Sequence, residues 1–85
     1  GASSVILGDD LILIGGESKV QEAAHNNVDA YNLKSKRWSV LDPLERGRHG
    51  TQAIVFKNRI YIAAGSGNRG GSPELDSIEV FKGKN

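Results

Sequence analysis

The sequence repeats itself. Val5-Ile6-Leu7-Gly8-Asp9-Asp10-Leu11-Ile12-Leu13-Ile14-Gly15-Gly16 lies over Ile54-Val55-Phe56-Lys57-Asn58-Arg59-Ile60-Tyr61-Ile62-Ala63-Ala64-Gly65 at a constant offset of 49 residues. Each copy reads as an apolar strand, a three-residue polar turn, a second apolar strand and a closing glycine. Further along, Asn27-Val28-Asp29-Ala30-Tyr31 lies over Ser77-Ile78-Glu79-Val80-Phe81 at an offset of 50. The one-residue slip falls among glycines and polar residues, where a loop absorbs an insertion that a strand would not. Fixed-period self-similarity of this kind is the signature of a repeat architecture, and it constrains the fold more than any local propensity.

The apolar runs are short, rich in Val and Ile, and bounded by Gly, Asp or Asn, as strands are. They are too short for buried helices. Val28-Asp29-Ala30-Tyr31 and Ile78-Glu79-Val80-Phe81 alternate apolar with polar residues, which predicts one buried and one wetter face. Arg37-Trp38-Ser39-Val40-Leu41 supplies a further strand in the first copy. The expectation is an all-β chain with strands A to D at roughly 4–8, 11–15, 27–32 and 37–41, and a second set, A to C, at roughly 51–56, 59–64 and 77–82. The alternative is a seven-stranded sandwich or barrel whose repetition is accidental.

A four-stranded repeat of about 50 residues is the size of a Kelch blade. In the first copy Gly15-Gly16 closes the second strand, Tyr31 ends the third, and Trp38 follows after six intervening residues. This resembles the Kelch pattern of a double glycine, a Tyr and a Trp. Arg48 resembles the arginine that often opens a Kelch repeat. Glycines at a strand end permit backbone angles and close approach that side chains forbid, and the Tyr and Trp are expected to fill space between adjacent blades. The second copy departs from the pattern: Ala64-Gly65 replaces the double glycine, Phe81 replaces the Tyr, and no Trp follows. The expected organisation is one partial propeller domain, with a complete blade in residues 1–45 and a second, lacking its outer strand, in 46–85.

The resemblance implies six or seven blades in a closed ring, and two blades cannot close one. Open sheet edges would carry unpaired backbone groups. Completion could come from further blades of a longer chain or from copies of this one, and three copies giving six blades is the expected homo-oligomer.

Composition narrows the function. Eighty-five residues bury a modest core, and the absence of cysteine removes disulfides and thiolate zinc sites. Net charge is +1, from eleven basic and ten acidic residues spread along the chain. Nucleic-acid binders concentrate a basic patch. The densest basic group here, Lys34, Lys36 and Arg37, reads as a solvated turn beside Trp38, so no nucleic-acid partner is expected. No run approaches the roughly 18 apolar residues of a membrane span, so no membrane partner is expected, and Gly1-Ala2-Ser3-Ser4 does not begin a signal peptide.

Antiparallel strands put the B–C and D–A connections on one face of such a blade and the A–B and C–D turns on the other. The B–C loops (17–26 and 66–76) and the D–A connection (42–50) are the long ones, and long loops on a rigid scaffold carry recognition. Candidate ligand-binding residues on that face are Arg46, Arg48, His49, Glu17, His25, Glu74 and Asp76. An arginine there suits a planar carboxylate. The bland readings are that Arg48 caps a neighbouring loop, that His49 fills a turn before Gly50, and that the loop carboxylates are solvated. Gly15, Gly16, Tyr31, Trp38, Gly65 and Phe81 are the structural motif positions.

Other chemistries find little support. Gly65-Ser66-Gly67-Asn68-Arg69-Gly70 has the G-x-G-x-x-G spacing, yet Pro73 and a strand follow where a dinucleotide site needs a helix. His25 and His49 lack the partners of a metal centre, and the copper-oxidase members of the wider Kelch group use a cysteine that is missing here. No cofactor and no metal are expected. Glu17, Glu74 and Asp76 could converge as catalytic carboxylates. The expected function is a binding module for a protein or glycan, and the alternative is part of a carbohydrate-active or sugar-isomerising propeller enzyme.

Overall fold

The computed structural model describes residues 2–17 and 21–82. Residues 18–20 of the first B–C loop, and Gly1, lie outside them. The chain is all-β, in two antiparallel sheets. The first has the order β1 (Ser3–Leu7), β2 (Asp10–Ile14), β3 (Val28–Asn32), β4 (Trp38–Val40). The second has the order β5 (Ile54–Phe56), β6 (Arg59–Ala63), β7 (Ile78–Phe81).

Both A–B turns are tighter than their sequence suggests. Leu7 pairs with Asp10 and Phe56 with Arg59, which leaves two-residue loops. Lys57 and Asn58 both adopt left-handed backbone angles (φ 49° and 66°). Two successive left-handed residues twist in the sense the flanking strands require. β5 is also shorter than the expected 51–56. Thr51 donates from Oγ1 to the Ala63 carbonyl at 2.6 Å, its own carbonyl accepts the Ser3 hydroxyl, and Gln52 Nε2 donates to the Ser4 carbonyl at 2.8 Å. Side-chain bonds to the two neighbouring strands thus hold a segment that the sheet ladder leaves free.

The core lies between the sheets. Ile12, Ile14, Val28 and Ala30 from the first meet Ile60 and Ile62 from the second, with Leu44 and Ala53 from the connection. Fully burying one such isoleucine contributes about 1.5–3 kcal/mol. Phe81 packs on the edge of this cluster.

The repeat reveals how the sheets are stacked. At the offset of 49, Ile60 and Ile62 correspond to Leu11 and Leu13. Yet the first sheet buries Ile12 and Ile14, one residue out of phase, and leaves Leu11 and Leu13 half-exposed. One sheet therefore offers its front and the other its back. The same shift appears in the third strands. Val28 and Ala30 are buried, whereas their counterparts Ile78 and Val80 face out, and Glu79 turns inward with Phe81. The alternating pattern places its apolar phase inside in the first copy and outside in the second.

Stacking front to back leaves two unpartnered faces. Tyr31 and Trp38, at opposed register positions, make a tilted ring contact of 5.0 Å on the outer face of the first sheet. Trp38 is 60% exposed there, so the pair does not fill the space between these two sheets. Ile54, Phe56, Ile78 and Val80 are exposed on the outer face of the second.

Candidate functional site

All long connections meet at one end of the sheets and are bonded to one another. Ala24 N donates to Gly67 O, Arg69 N to Glu22 O, and Gly67 N to Pro73 O. His49 and Ser66 exchange a reciprocal pair of backbone bonds, while Gly16 N donates to the Arg48 carbonyl and Arg48 N to the His25 carbonyl. The two B–C loops and the D–A connection thus form one backbone surface. Glycine makes the closest approaches possible: a Cβ on Gly47 would sit 2.0 Å from the Ala24 carbonyl oxygen, and one on Gly15 2.3 Å from that of Arg48.

Two of the candidate residues are drawn together within this surface. Glu17 is exposed and accepts the Gly70 backbone N–H through Oε2 at 2.9 Å. Its Oε1 lies 3.3 Å from Nδ1 of His49. The Gly70 bond chiefly holds the Glu17 carboxyl below the usual carboxylate range; it outweighs the opposing effect of desolvation, and the His49 ring adds a smaller lowering effect. The His49 ring is buried, and its Nε2 lies 2.7 Å from the Asn68 carbonyl oxygen. A carbonyl only accepts, so Nε2 carries the proton. His49 thereby fastens both B–C loops to the D–A connection.

Arg48 has a different place from the one expected of a ligand contact. Its side chain is wholly buried, and its guanidinium is consumed within the fold. It donates to the carbonyls of Arg46, Ala64 and Ser77, to Ser77 Oγ, and to Glu79 Oε2 at 2.7 Å. Glu79 in turn accepts the backbone N–H groups of Glu45 (2.8 Å) and Arg46 (3.1 Å). The planar guanidinium satisfies several acceptors at fixed geometry, which a lysine could not. Arg48 is a fastener joining the connection to the second sheet.

The remaining candidates are spread over the surface. The Arg46 guanidinium lies over Gly67, where a Cβ would meet its Nη2 at 2.3 Å. His25 is half-buried, and its backbone links Gly16 and Arg48. Glu74 and Asp76 are exposed, and Glu74 bridges to Ser66 through its backbone. Among the described residues, no group of three or more His, Asp or Glu side chains could hold a metal ion.

Sequence reasoning missed Glu79 and Gly47. The inward phase of Glu79, shared with Phe81, was the available signal for the first, since a carboxylate on a packed face needs a partner. Gly47, set between two arginines, offered only its lack of a side chain.

Four antiparallel strands, a double glycine closing the second, and a Tyr–Trp contact across the last two make up the first sheet and its connection. Residues 1–45 match the family model of the Kelch motif. The chain belongs to the Kelch-repeat family. It is similar to Kelch-like protein 40 of Xenopus laevis, with 28% identity over 81 residues, covering 95% of this chain and 13% of the relative. It is also similar to Kelch repeat and BTB domain-containing protein 3 of Homo sapiens and of Pongo abelii, each with 34% identity over 62 residues, covering 71% of this chain and 10% of the relative. The Kelch chain described here therefore spans about a tenth of the length of these relatives.

Proposed function

We propose that this chain is a protein-interaction module that presents the interlocked B–C and D–A loops as its recognition surface. One observation carries the reading: backbone bonds fuse three long connections into a single surface, so exposed side chains such as Arg46, Glu74 and Asp76 project from a fixed platform. Preorganisation of this kind lowers the ordering cost of binding. Kelch repeats are typically protein-interaction modules, which supports the same reading. Glu17, His49 and Arg48 serve the platform. A glycan is the second ligand class the loop face could take.

The experiment is affinity capture with quantitative mass spectrometry, comparing the chain with a variant carrying Arg46→Glu, Glu74→Lys and Asp76→Lys. Partners lost selectively from the variant support the loop face. An unchanged partner set overturns it, and a glycan array separates the glycan branch.

The two faces left open, one outer face on each sheet, are matched as front and back. We infer that each is covered by a further sheet of the same kind, either from a longer chain or from copies of this one. Three copies giving six blades is the closed ring an even blade number favours. Front-to-back contacts of this type close into rings when the rotation allows. Multi-angle light scattering that finds a monodisperse monomer excludes the trimer.

A further inference from the structure

The end of the molecule opposite the loops has its own chemistry. Lys34, Lys36, Arg37, Lys57, Arg59 and Lys82 lie at the A–B and C–D turn end, against two carboxylates, Asp9 and Asp10. With a net charge of only +1 for the whole chain, the rest of the protein is net negative. The molecule is therefore electrically polarised from turn face to loop face.

A cleft of about 540 Å³ opens on this basic end, between the two A–B turns. Its walls are chemically unequal. On one side Asp10 is buried and accepts Asn32 Nδ2 at 3.0 Å, and Asp9 faces Lys34 at 3.8 Å. On the other stand Lys57, Arg59 and Lys82. Lys57 lies 5.5 Å from the centroid of the Phe56 ring. The negative wall is already engaged, whereas Arg59 and Lys82 of the positive wall have no ion-pair partner among the described residues.

We propose that this turn-face cleft is a second docking site, for an acidic peptide segment of a protein partner. The free guanidinium of Arg59 offers a carboxylate a paired set of donors, and Lys57 and Lys82 flank it as point charges. A polyanion such as single-stranded nucleic acid fits less well. Two carboxylates line the cleft and no aromatic side chain does, so its walls offer no ring for base stacking.

The probe is a fluorescein-labelled peptide of alternating glutamate and glycine, followed by fluorescence anisotropy, with the binding site mapped by amide chemical shifts on the unmodified chain. The expected result is saturable binding that weakens with added salt. Amide shifts should be confined to Gly8, Lys57 to Arg59 and Lys82. Arg59→Glu should weaken binding about tenfold or more, while Arg69→Glu, an equal charge change on the loop face, should leave it within twofold. Equal weakening by both variants, shifts centred on residues 66–76, or no binding at millimolar peptide would each overturn the proposal. Tighter binding of a single-stranded oligonucleotide with the same Arg59 dependence would overturn it in favour of nucleic acid.

Discussion

Nη2 of Arg48 lies 2.7 Å from Oε2 of Glu79, with the arginine side chain shut off from solvent. This ion pair anchors the loop connection to the second sheet, because Glu79 also accepts two backbone N–H groups from the segment that carries Arg48. Breaking a buried pair leaves one charge uncompensated, which costs about 3–5 kcal/mol. Glu79→Ala should lower stability by about that amount in urea unfolding. The double variant Arg48→Met with Glu79→Leu should recover part of the loss, and additive losses in the cycle would show that the two side chains act independently.

The front-to-back stacking makes a contrast within one sheet. Ile12→Ala should cost about 2–5 kcal/mol, because Ile12 has no exposed surface and its loss leaves a cavity between the sheets. Val40→Ala, at a position 79% exposed on the outer face, should stay within about 0.5 kcal/mol. Chemical denaturation of the two variants side by side measures the difference. Similar losses would mean that the outer face is already covered in solution.

Ala64 stands where the first copy has Gly15, and both are left-handed, at φ 59° and 68°. An L-residue in that region is strained by about 1–2 kcal/mol, part of which glycine returns through its freer unfolded chain. Ala64→Gly should therefore stabilise the protein by about 0.5–1 kcal/mol, read as a raised midpoint in thermal or urea unfolding. A lowered midpoint would assign the alanine methyl a packing role that outweighs its backbone strain.

Gly47 is constrained by space. Its Cβ would fall 2.0 Å from the Ala24 carbonyl oxygen and 2.7 Å from the Ala24 carbonyl carbon, so Gly47→Ala must push the connection away from the first B–C loop. Gly8 has nothing within 4 Å, and Gly8→Ala should cost only the left-handed backbone penalty of about 1–2 kcal/mol. Hydrogen exchange at the Ala24 and Arg48 amides should accelerate in the Gly47 variant and remain unchanged in the Gly8 variant.

The Gly70 bond, with a smaller contribution from the His49 ring, lowers the Glu17 pKa below the ordinary glutamate value of 4.5. A group whose folded pKa is depressed stabilises the fold above its unfolded pKa, and that contribution is lost as pH falls through the folded value. Stability should thus be flat with respect to this group above about pH 5 and decline below its ordinary titration range. The Gly70 amide resonance should report a midpoint below 4.5, and Glu17→Gln should abolish the titration. A midpoint at or above the ordinary glutamate value would mean that the Gly70 bond is not kept in solution.

Much of this architecture is legible in the sequence. The offset repeat, the short Val- and Ile-rich runs and their glycine bounds determine seven strands in two sheets, because a period-two strand between turn residues needs no distant information. The antiparallel order then assigns the long connections to one end. Burial phase is another matter. Ile12 and Ile62 are both buried although they occupy opposite phases of the repeat, and Glu79 lies inward while Ile78 lies outward. Local alternation identifies two faces but carries no label for which one meets a neighbour; that depends on stacking a front against a back. The roles of Arg48 and His49 were undecided for the same reason. Whether a charged side chain meets solvent or a buried acceptor is fixed by residues 19 to 32 positions away, and only the tertiary structure brought Glu79, Asn68 and Glu17 to them.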